Sequence, residues 1–284
     1  MHKGMPVVVR VGFVKLGNIG CAPLIEFLLD ERAEREDISV RVIGCGAKMN
    51  PEDAEEISKK MLEFKPDFVV ITSPNASLPG PTKAREILAQ SVPVIVVSDL
   101  PAKRIVSELE EKGIGYIIVE ADAMLGARRE FLDPIEMALF NADLIKVLSI
   151  TGVYNILFES IDKVIEAIKE GKKPELPKIV VKAKKAIKAA GFSNPYAASK
   201  AMASFEIAKN VADVTVTACF KEKDWEKYTL LCSAAHEMMA EAAKLASEAR
   251  EIEKSADKVL RKPHYDDGTI LIKRALIEKP SKPE

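Results

Sequence analysis

The strongest constraint on this chain is a pattern repeated through its first 120 residues. Short, almost unbroken apolar runs rich in β-branched residues are each followed by a polar turn and a helical stretch. The runs are VVVRVGFVKL (Val7 to Leu16), a second ending in RVIG (Arg41 to Gly44), DFVVIT (Asp67 to Thr72), VPVIVVS (Val92 to Ser98) and GYIIV (Gly115 to Val119). A strand with one wet face alternates apolar and polar residues, and these do not. They suit strands covered on both faces, which crossover helices between parallel strands provide. The pattern predicts an α/β fold with a doubly wound, mainly parallel sheet. Helix starts agree with it: one opens near Ala22, and Asn50 is placed to cap another, with Pro51 in its first turn and Asp53 three residues on.

Beyond Asp133 the rhythm changes. Asp133 as cap, Pro134 at the first helical position and Glu136 at the third launch a helix to about Ile150, which Gly152 breaks. A helix over Tyr154 to Glu170 follows, and GKKPELPK (Gly171 to Lys178) reads as a linker. Next come a basic helix near Lys182 to Ala190, a helix from Pro195 to Asn210, a short strand DVTVTACF (Asp213 to Phe220) and a long helix from Trp225 to Lys254. DDG at Asp266 to Gly268 marks a hairpin turn. The predicted organisation is an α/β sheet domain over 1–133, a mainly helical part over 134–258 packing on it, and a small β-hairpin segment over 259–284.

Composition narrows the function classes. With 42 basic and 43 acidic side chains the net charge is -1, so no global field recruits nucleic acid or a membrane surface, and any anion must be caught locally. Nor is there a basic stripe interleaved with aromatics to suggest nucleic-acid recognition. Cys21, Cys45, Cys219 and Cys232 form no CxxC pair, and His2, His236 and His264 are scattered, so neither a disulfide framework nor a metal site is expected. No apolar run is long enough to span a bilayer, and the chain reads as cytoplasmic. Gln90 is the only glutamine in a chain rich in Lys and Glu, a bias associated with hot environments. His236, mid-helix in SAAHEMM, reads as a core or interface histidine, and no nucleophile elbow accompanies it.

In an open parallel sheet, ligands gather beyond the carboxyl ends of the strands. The first such loop, GNIG (Gly17 to Gly20), lacks the G-x-G-x-x-G fingerprint, and the second strand ends in Gly44 and Cys45 rather than an acidic residue, which argues against a nicotinamide dinucleotide. There is no P-loop. Gly17 and Gly20 serve either ligand contact through backbone N–H groups or a tight turn alone. SPNASLPGP (Ser73 to Pro81) is stiffened by three prolines and presents Asn75 and Ser77 at a fixed place on the rim, or simply turns the chain. In DAMLGARREFLDPIEMALFNAD (Asp122 to Asp143), Arg128 and Arg129 lie among Asp122, Glu130 and Asp133. Two readings stand side by side: ion pairs stitching the two parts together, or a bidentate site for a carboxylate, phosphate or pterin edge at the junction.

Several stretches carry a family resemblance: KLGNIG, SPNASLPGPTKARE, the run from Gly115 to Val153, NPYAASKAMASFEIAKNVADV and SAAHEMM. Together they resemble the archaeal coenzyme F-420-dependent methylenetetrahydromethanopterin dehydrogenases over nearly the whole chain. The resemblance implies a cytoplasmic homohexamer of archaeal one-carbon metabolism, in methanogenesis or its reverse. It implies reversible hydride transfer between the reduced deazaflavin coenzyme and methenyl-tetrahydromethanopterin, giving the methylene compound, with no metal, flavin or nicotinamide. From loop position and chemistry, Gly17, Asn18, Ser73, Pro74, Asn75 and Asp99 are expected on the deazaflavin side. Lys48 and Lys103 are expected at its anionic tails. Arg128, Arg129, Glu130, Asp133 and Asn141 are expected at the pterin, Glu130 and Asp133 also tuning charge near the reacting carbon. Two rival readings are a nicotinamide-dependent dehydrogenase of the same pterin and a non-catalytic α/β protein that binds the pterin or deazaflavin.

Overall fold

A computed structural model describes residues 7–30 and 35–283 of the chain; His2 lies outside them. Among the described residues, six parallel strands form one sheet: β1 (Val9–Lys15), β2 (Ile38–Gly44), β3 (Phe68–Ser73), β4 (Val94–Asp99), β5 (Gly115–Val119) and β6 (Lys178–Val181). Their order is β2-β1-β3-β4-β5-β6. The apolar runs divide by alternate residues between two cores. Val9, Val11, Phe13, Val70, Ile95, Val97, Ile117 and Val119 point to one face, under α1 (Cys21–Leu29), α5 (Pro134–Ile150) and α6 (Val153–Lys169). Val14, Leu16, Val69, Ile71, Val94, Val96 and Ile118 point to the other, under α2 (Pro51–Glu63), α3 (Pro79–Ala89) and α4 (Val106–Glu111). Burial on both faces therefore underlies the unbroken apolar runs of β1, β3, β4 and β5, whereas β2, at the sheet edge, is not buried on both faces and Val42 in it is exposed.

The remaining helices are α7 (Ala183–Ala190), α8 (Pro195–Val216) and α9 (Trp225–Ser255). Of these, α8 and α9 lie against each other with Ala197, Ala201, Ala208, Ala242 and Ala246 fully buried, which lets the two backbones approach closely. The expected caps form. Asn50 accepts from the Asp53 N–H at 2.8 Å, and Asp133 accepts from Ile135 N–H at 2.7 Å and Glu136 N–H at 2.8 Å. Gly152 takes φ +98° between α5 and α6, where an added Cβ would lie 2.0 Å from the Ala186 carbonyl oxygen.

Two elements depart from the sequence reading. The end of the expected linker, Lys178, begins β6, whose Ile179, Val180 and Val181 extend the sheet beside β5. The expected strand at Asp213 to Phe220 is helical: α8 runs on to Val216, and a π turn covers Thr217–Lys221. Its β-branched residues favour a strand locally, but Val211, Thr215 and Ala218 recur at helical spacing on one buried face. The hydroxyls of Thr215 and Thr217 are satisfied by the carbonyls of Val211 (3.2 Å) and Asp213 (2.9 Å). Residues 259–283 form isolated antiparallel bridges about the turn at Gly268. They are fastened by a buried cluster in which Asp162 meets His264 at 2.7 Å and Arg35 at 3.3 Å, and Arg35 meets Asp37 at 2.8 Å.

Candidate ligand cleft at the strand ends

The strand order reverses between β1 and β3, so the loops leaving these two strands diverge to opposite faces and open a crevice between them. Three loops lock together there. Gly17, at φ +75°, leaves room for Met49 and Pro74: an added Cβ would lie 2.8 Å from the Met49 sulfur and 3.0 Å from the Pro74 ring. Gly80 approaches the next loop still more closely, its added Cβ falling 2.1 Å from the Met49 carbonyl oxygen. Asn75 accepts from the Ser77 N–H at 3.1 Å and its hydroxyl at 2.6 Å, and Arg104 Nε donates to that hydroxyl at 2.8 Å. The proline loop is thus fixed from inside, with Asn75 in its knot.

The opposite wall is α5. Asn18 Nδ2 donates to Asn141 Oδ1 at 3.2 Å, and Asn141 Nδ2 donates to the Met137 carbonyl at 2.7 Å. One hydrogen bond therefore joins the expected deazaflavin loop to the expected pterin helix. The floor is acidic. Asp122, 2% exposed, accepts from the Gly20 N–H at 2.7 Å and the Cys21 N–H at 2.8 Å, capping α1 with a carboxylate from the loop after β5. Burial pushes its carboxyl up, against the pull of these donors. Burial and the neighbouring Asp122 raise Asp99 well above the usual carboxylate range, against the pull of the Leu100 N–H that donates to it. Glu120, also buried, lies 4.0 Å from Lys103 and 3.5 Å from Lys209 of α8. Ser73 and Thr72, at the end of β3, are fully buried, and their hydroxyls find no partner among the described residues.

The arginine run divides. Arg128 Nε donates to the Ala218 carbonyl at 3.0 Å and Nη2 to that of Glu222 at 3.3 Å, while its guanidinium lies 4.4 Å over the Tyr228 ring. These contacts tie the loop to the π turn and to α9. Glu130 accepts from the Tyr228 hydroxyl, which with a backbone N–H holds its carboxyl below the usual range. Arg129 is exposed, as is Lys48, and Asp133 is engaged in its cap. His236 is packed between Phe131 and Phe140 with Nδ1 3.3 Å from Glu136, a core histidine that burial shifts downward. Sequence reasoning did not single out Thr72, Arg104, Glu120 or Lys209. Acidic residues immediately after apolar strands are a signal that would have found Glu120; Lys209 and Arg104 carry none, being ordinary solvent-side lysine and arginine in sequence.

The fold defines an open parallel α/β protein with a crevice at its topological switch point, in which the amides at the start of the first crossover helix are already held by its own carboxylate. The model of the methylene-5,6,7,8-tetrahydromethanopterin dehydrogenase family matches residues 9–281, and the chain belongs to that family. It is 61% identical over 274 residues to the F-420-dependent methylenetetrahydromethanopterin dehydrogenase of Archaeoglobus fulgidus, and 56% identical over 276 residues to that of Methanocaldococcus jannaschii. Each alignment covers 96% of this chain and 100% of the relative. A solved F-420-dependent methylene-tetrahydromethanopterin dehydrogenase, in complex with methylene-tetrahydromethanopterin and coenzyme F-420, superposes with a TM-score of 0.94 at 50% identity. It covers 97% of this chain and 100% of its own.

Proposed function

We propose that the chain catalyses reversible hydride transfer between coenzyme F-420 and tetrahydromethanopterin carrying a one-carbon unit, interconverting the methylene and methenyl forms. The observation carrying this is the full-length match in sequence and fold to an enzyme solved with both compounds bound. Exposed Lys48 and Arg129 beside the strand-end cleft suit the anionic tails of such ligands.

The coenzyme supplies the carbon that gives or takes the hydride, so the protein's work is alignment and exclusion of water. Gly17, Asn18, Ser73, Pro74, Asn75 and Asp99 form the deazaflavin wall, with Lys48 and Lys103 toward its tail. Arg129, Glu130, Asp133 and Asn141 face the pterin, and Arg128 holds their loop in place. The sheet domain (1–133), completed by β6 of the following part, carries the deazaflavin wall and the Arg129–Asp133 loop, and the mainly helical part (134–258) supplies Asn141 opposite. Rigidity comes from the interlocked loops at Gly17 and Gly80, which hold one wall at a fixed distance from the Asn18–Asn141 bond. The decisive assay adds methylene-tetrahydromethanopterin to purified protein and oxidised coenzyme F-420. Bleaching of the coenzyme's visible absorbance is expected, with no reduction of a nicotinamide carrier; the reverse selectivity would overturn the reading.

The active unit is a homo-oligomer, with six subunits the specific expectation. Ile135 and Leu139 of α5, and Phe220, Trp225 and Leu230 around the start of α9, are large apolar side chains left exposed on one chain. Light scattering after size exclusion should give a mass near six chains. A cytoplasmic setting accords with four free cysteines, and a hot one with the buried Arg35–Asp37–Asp162 network.

A further inference from the structure

The loop after β3 is gripped from within the protein by a buried charge. Arg85 of α3 is 1% exposed, one of the largest enclosed side chains. Its Nη1 donates to the Ala76 carbonyl at 2.6 Å and to the Thr82 hydroxyl at 2.9 Å, and Nη2 donates to Glu108 of α4 at 3.0 Å. Ala76 is held through its N–H as well, which donates to the Ser98 hydroxyl of β4 at 3.1 Å, and that hydroxyl donates to the Ser73 carbonyl at 2.6 Å. Both backbone groups of Ala76 are thus fastened by side chains, one from a helix and one from the sheet. Asn75, whose side chain ties the loop at Ser77, is the residue just before it.

Packing alone does not account for a guanidinium at this place. Ala84 and Leu88 of α3 enter the core on this side of the sheet, and a buried ion pair is commonly no more stabilising than an apolar side chain of similar volume. Arg85 moreover leaves Nε enclosed with no partner among the described residues, a cost that an apolar side chain would not carry. What the guanidinium supplies is direction. It is planar with its donors in a fixed fork, so once Glu108 holds Nη2 the aim of Nη1 at the loop is set.

We propose that Arg85 is a positioning residue for the coenzyme: oriented by Glu108, it fixes the Ala76 backbone and thereby the place of Asn75 on the deazaflavin wall. This rests on the dehydrogenase reading given above. Arg85 is enclosed and acts on the coenzyme only through the loop, so its influence falls on one substrate. The pterin side, from Arg129 to Asn141, is built from other elements and does not depend on it. Small displacements of a residue that aligns a ring cost affinity and rate out of proportion to their size.

The test measures KM for each substrate, the dissociation constant of oxidised coenzyme F-420 from quenching of its fluorescence, and denaturant unfolding, with the first two taken well below the unfolding temperature. Arg85→Met, similar in length and uncharged, should raise KM and the dissociation constant for the coenzyme about tenfold, while KM for the pterin changes less than about twofold. Arg85→Lys keeps a charge that a single ammonium can aim at the Ala76 carbonyl, and should recover part of that loss. Glu108→Ala, on a side chain 38% exposed, should weaken coenzyme binding about threefold with the pterin again unaffected, and it carries the test if Arg85→Met does not fold. A purely structural Arg85 predicts a lower unfolding midpoint with coenzyme affinity unchanged. That pattern, an equal rise in both Michaelis constants, or wild-type coenzyme binding by Glu108→Ala overturns the proposal. Failure of the dehydrogenase reading is distinct: the wild-type protein would then neither bind nor bleach the coenzyme before any substitution.

Discussion

Arg128→Ala separates the structural role of one arginine from the binding role of its neighbour. In the wild type the Nε bond to the Ala218 carbonyl, at 3.0 Å, is charge-assisted and worth about 1.5–3 kcal/mol, while the 3.3 Å bond to Glu222 adds little. The guanidinium over the Tyr228 ring at 4.4 Å contributes a further ~0.5–2 kcal/mol. Truncation should therefore cost about 2–5 kcal/mol, and on the order of 3–8 °C in Tm. Arg128→Lys should recover less than half, because an ammonium cannot meet two carbonyls and stack on a ring at once. Arg129→Ala, on an exposed side chain, should change stability by no more than about 0.5 kcal/mol, yet raise KM for the pterin. Denaturant unfolding and steady-state kinetics on the variants decide the matter. If Arg128→Ala left stability within 0.5 kcal/mol of the wild type while raising KM tenfold or more, the structural assignment would be refuted and Arg128 would belong to the ligand.

Other perturbations test the same architecture. Gly80→Ala drives a methyl into the Met49 backbone and should destabilise the protein by about 1–3 kcal/mol; the displaced loop should also weaken binding of coenzyme F-420, measured on the same preparation. His236 is held below its ordinary pKa by burial, so the unfolded chain takes up this proton first as pH falls, and folded-state stability drops from about pH 6.5 downward. His236→Leu removes that group, and its stability should decline less between pH 7 and pH 5 than that of the wild type, by up to about 1.4 kcal/mol per pH unit. Parallel pH profiles would show that His236 is not the titrating group.

The fold was legible where the sequence pattern had a single physical cause. Phe13, Val70, Ile95 and Ile117 face one core while Val14, Ile71, Val96 and Ile118 face the other, and burial of both sets leaves no polar alternation to hide the strands. Caps at Asn50 and Asp133 were equally plain, since each needs only a few neighbouring residues. β6 was hidden because it is a four-residue strand behind a proline-rich approach, and its strand character depends on β5 lying alongside. The turn after Val216 was misread because local β propensity and helical burial disagree there, and burial prevails. Within the cleft, the loops were locatable from the strand ends, but partner choice was not. Nothing in the order of residues says that Asn18 meets Asn141, that Arg128 reaches Ala218, or that Asp122 crosses to Gly20, since each depends on where distant elements dock.

That last contact bears on why a sheet of this type handles a deazaflavin rather than a nicotinamide. Dinucleotides enter doubly wound folds through a pyrophosphate seated on the free amides at the start of the first crossover helix. Here the two amides at that place, Gly20 and Cys21, donate to Asp122 at 2.7 and 2.8 Å, and the carboxylate is 2% exposed. A pyrophosphate would have to displace a buried anion that already satisfies both donors, leaving that anion without partners in an apolar setting where Leu144 and Leu148 press against Gly20. Breaking one partner from a buried charge costs about 3–5 kcal/mol, several hundredfold or more in affinity. The discrimination thus falls on the backbone at the head of α1, before the chemistry of either ring is consulted.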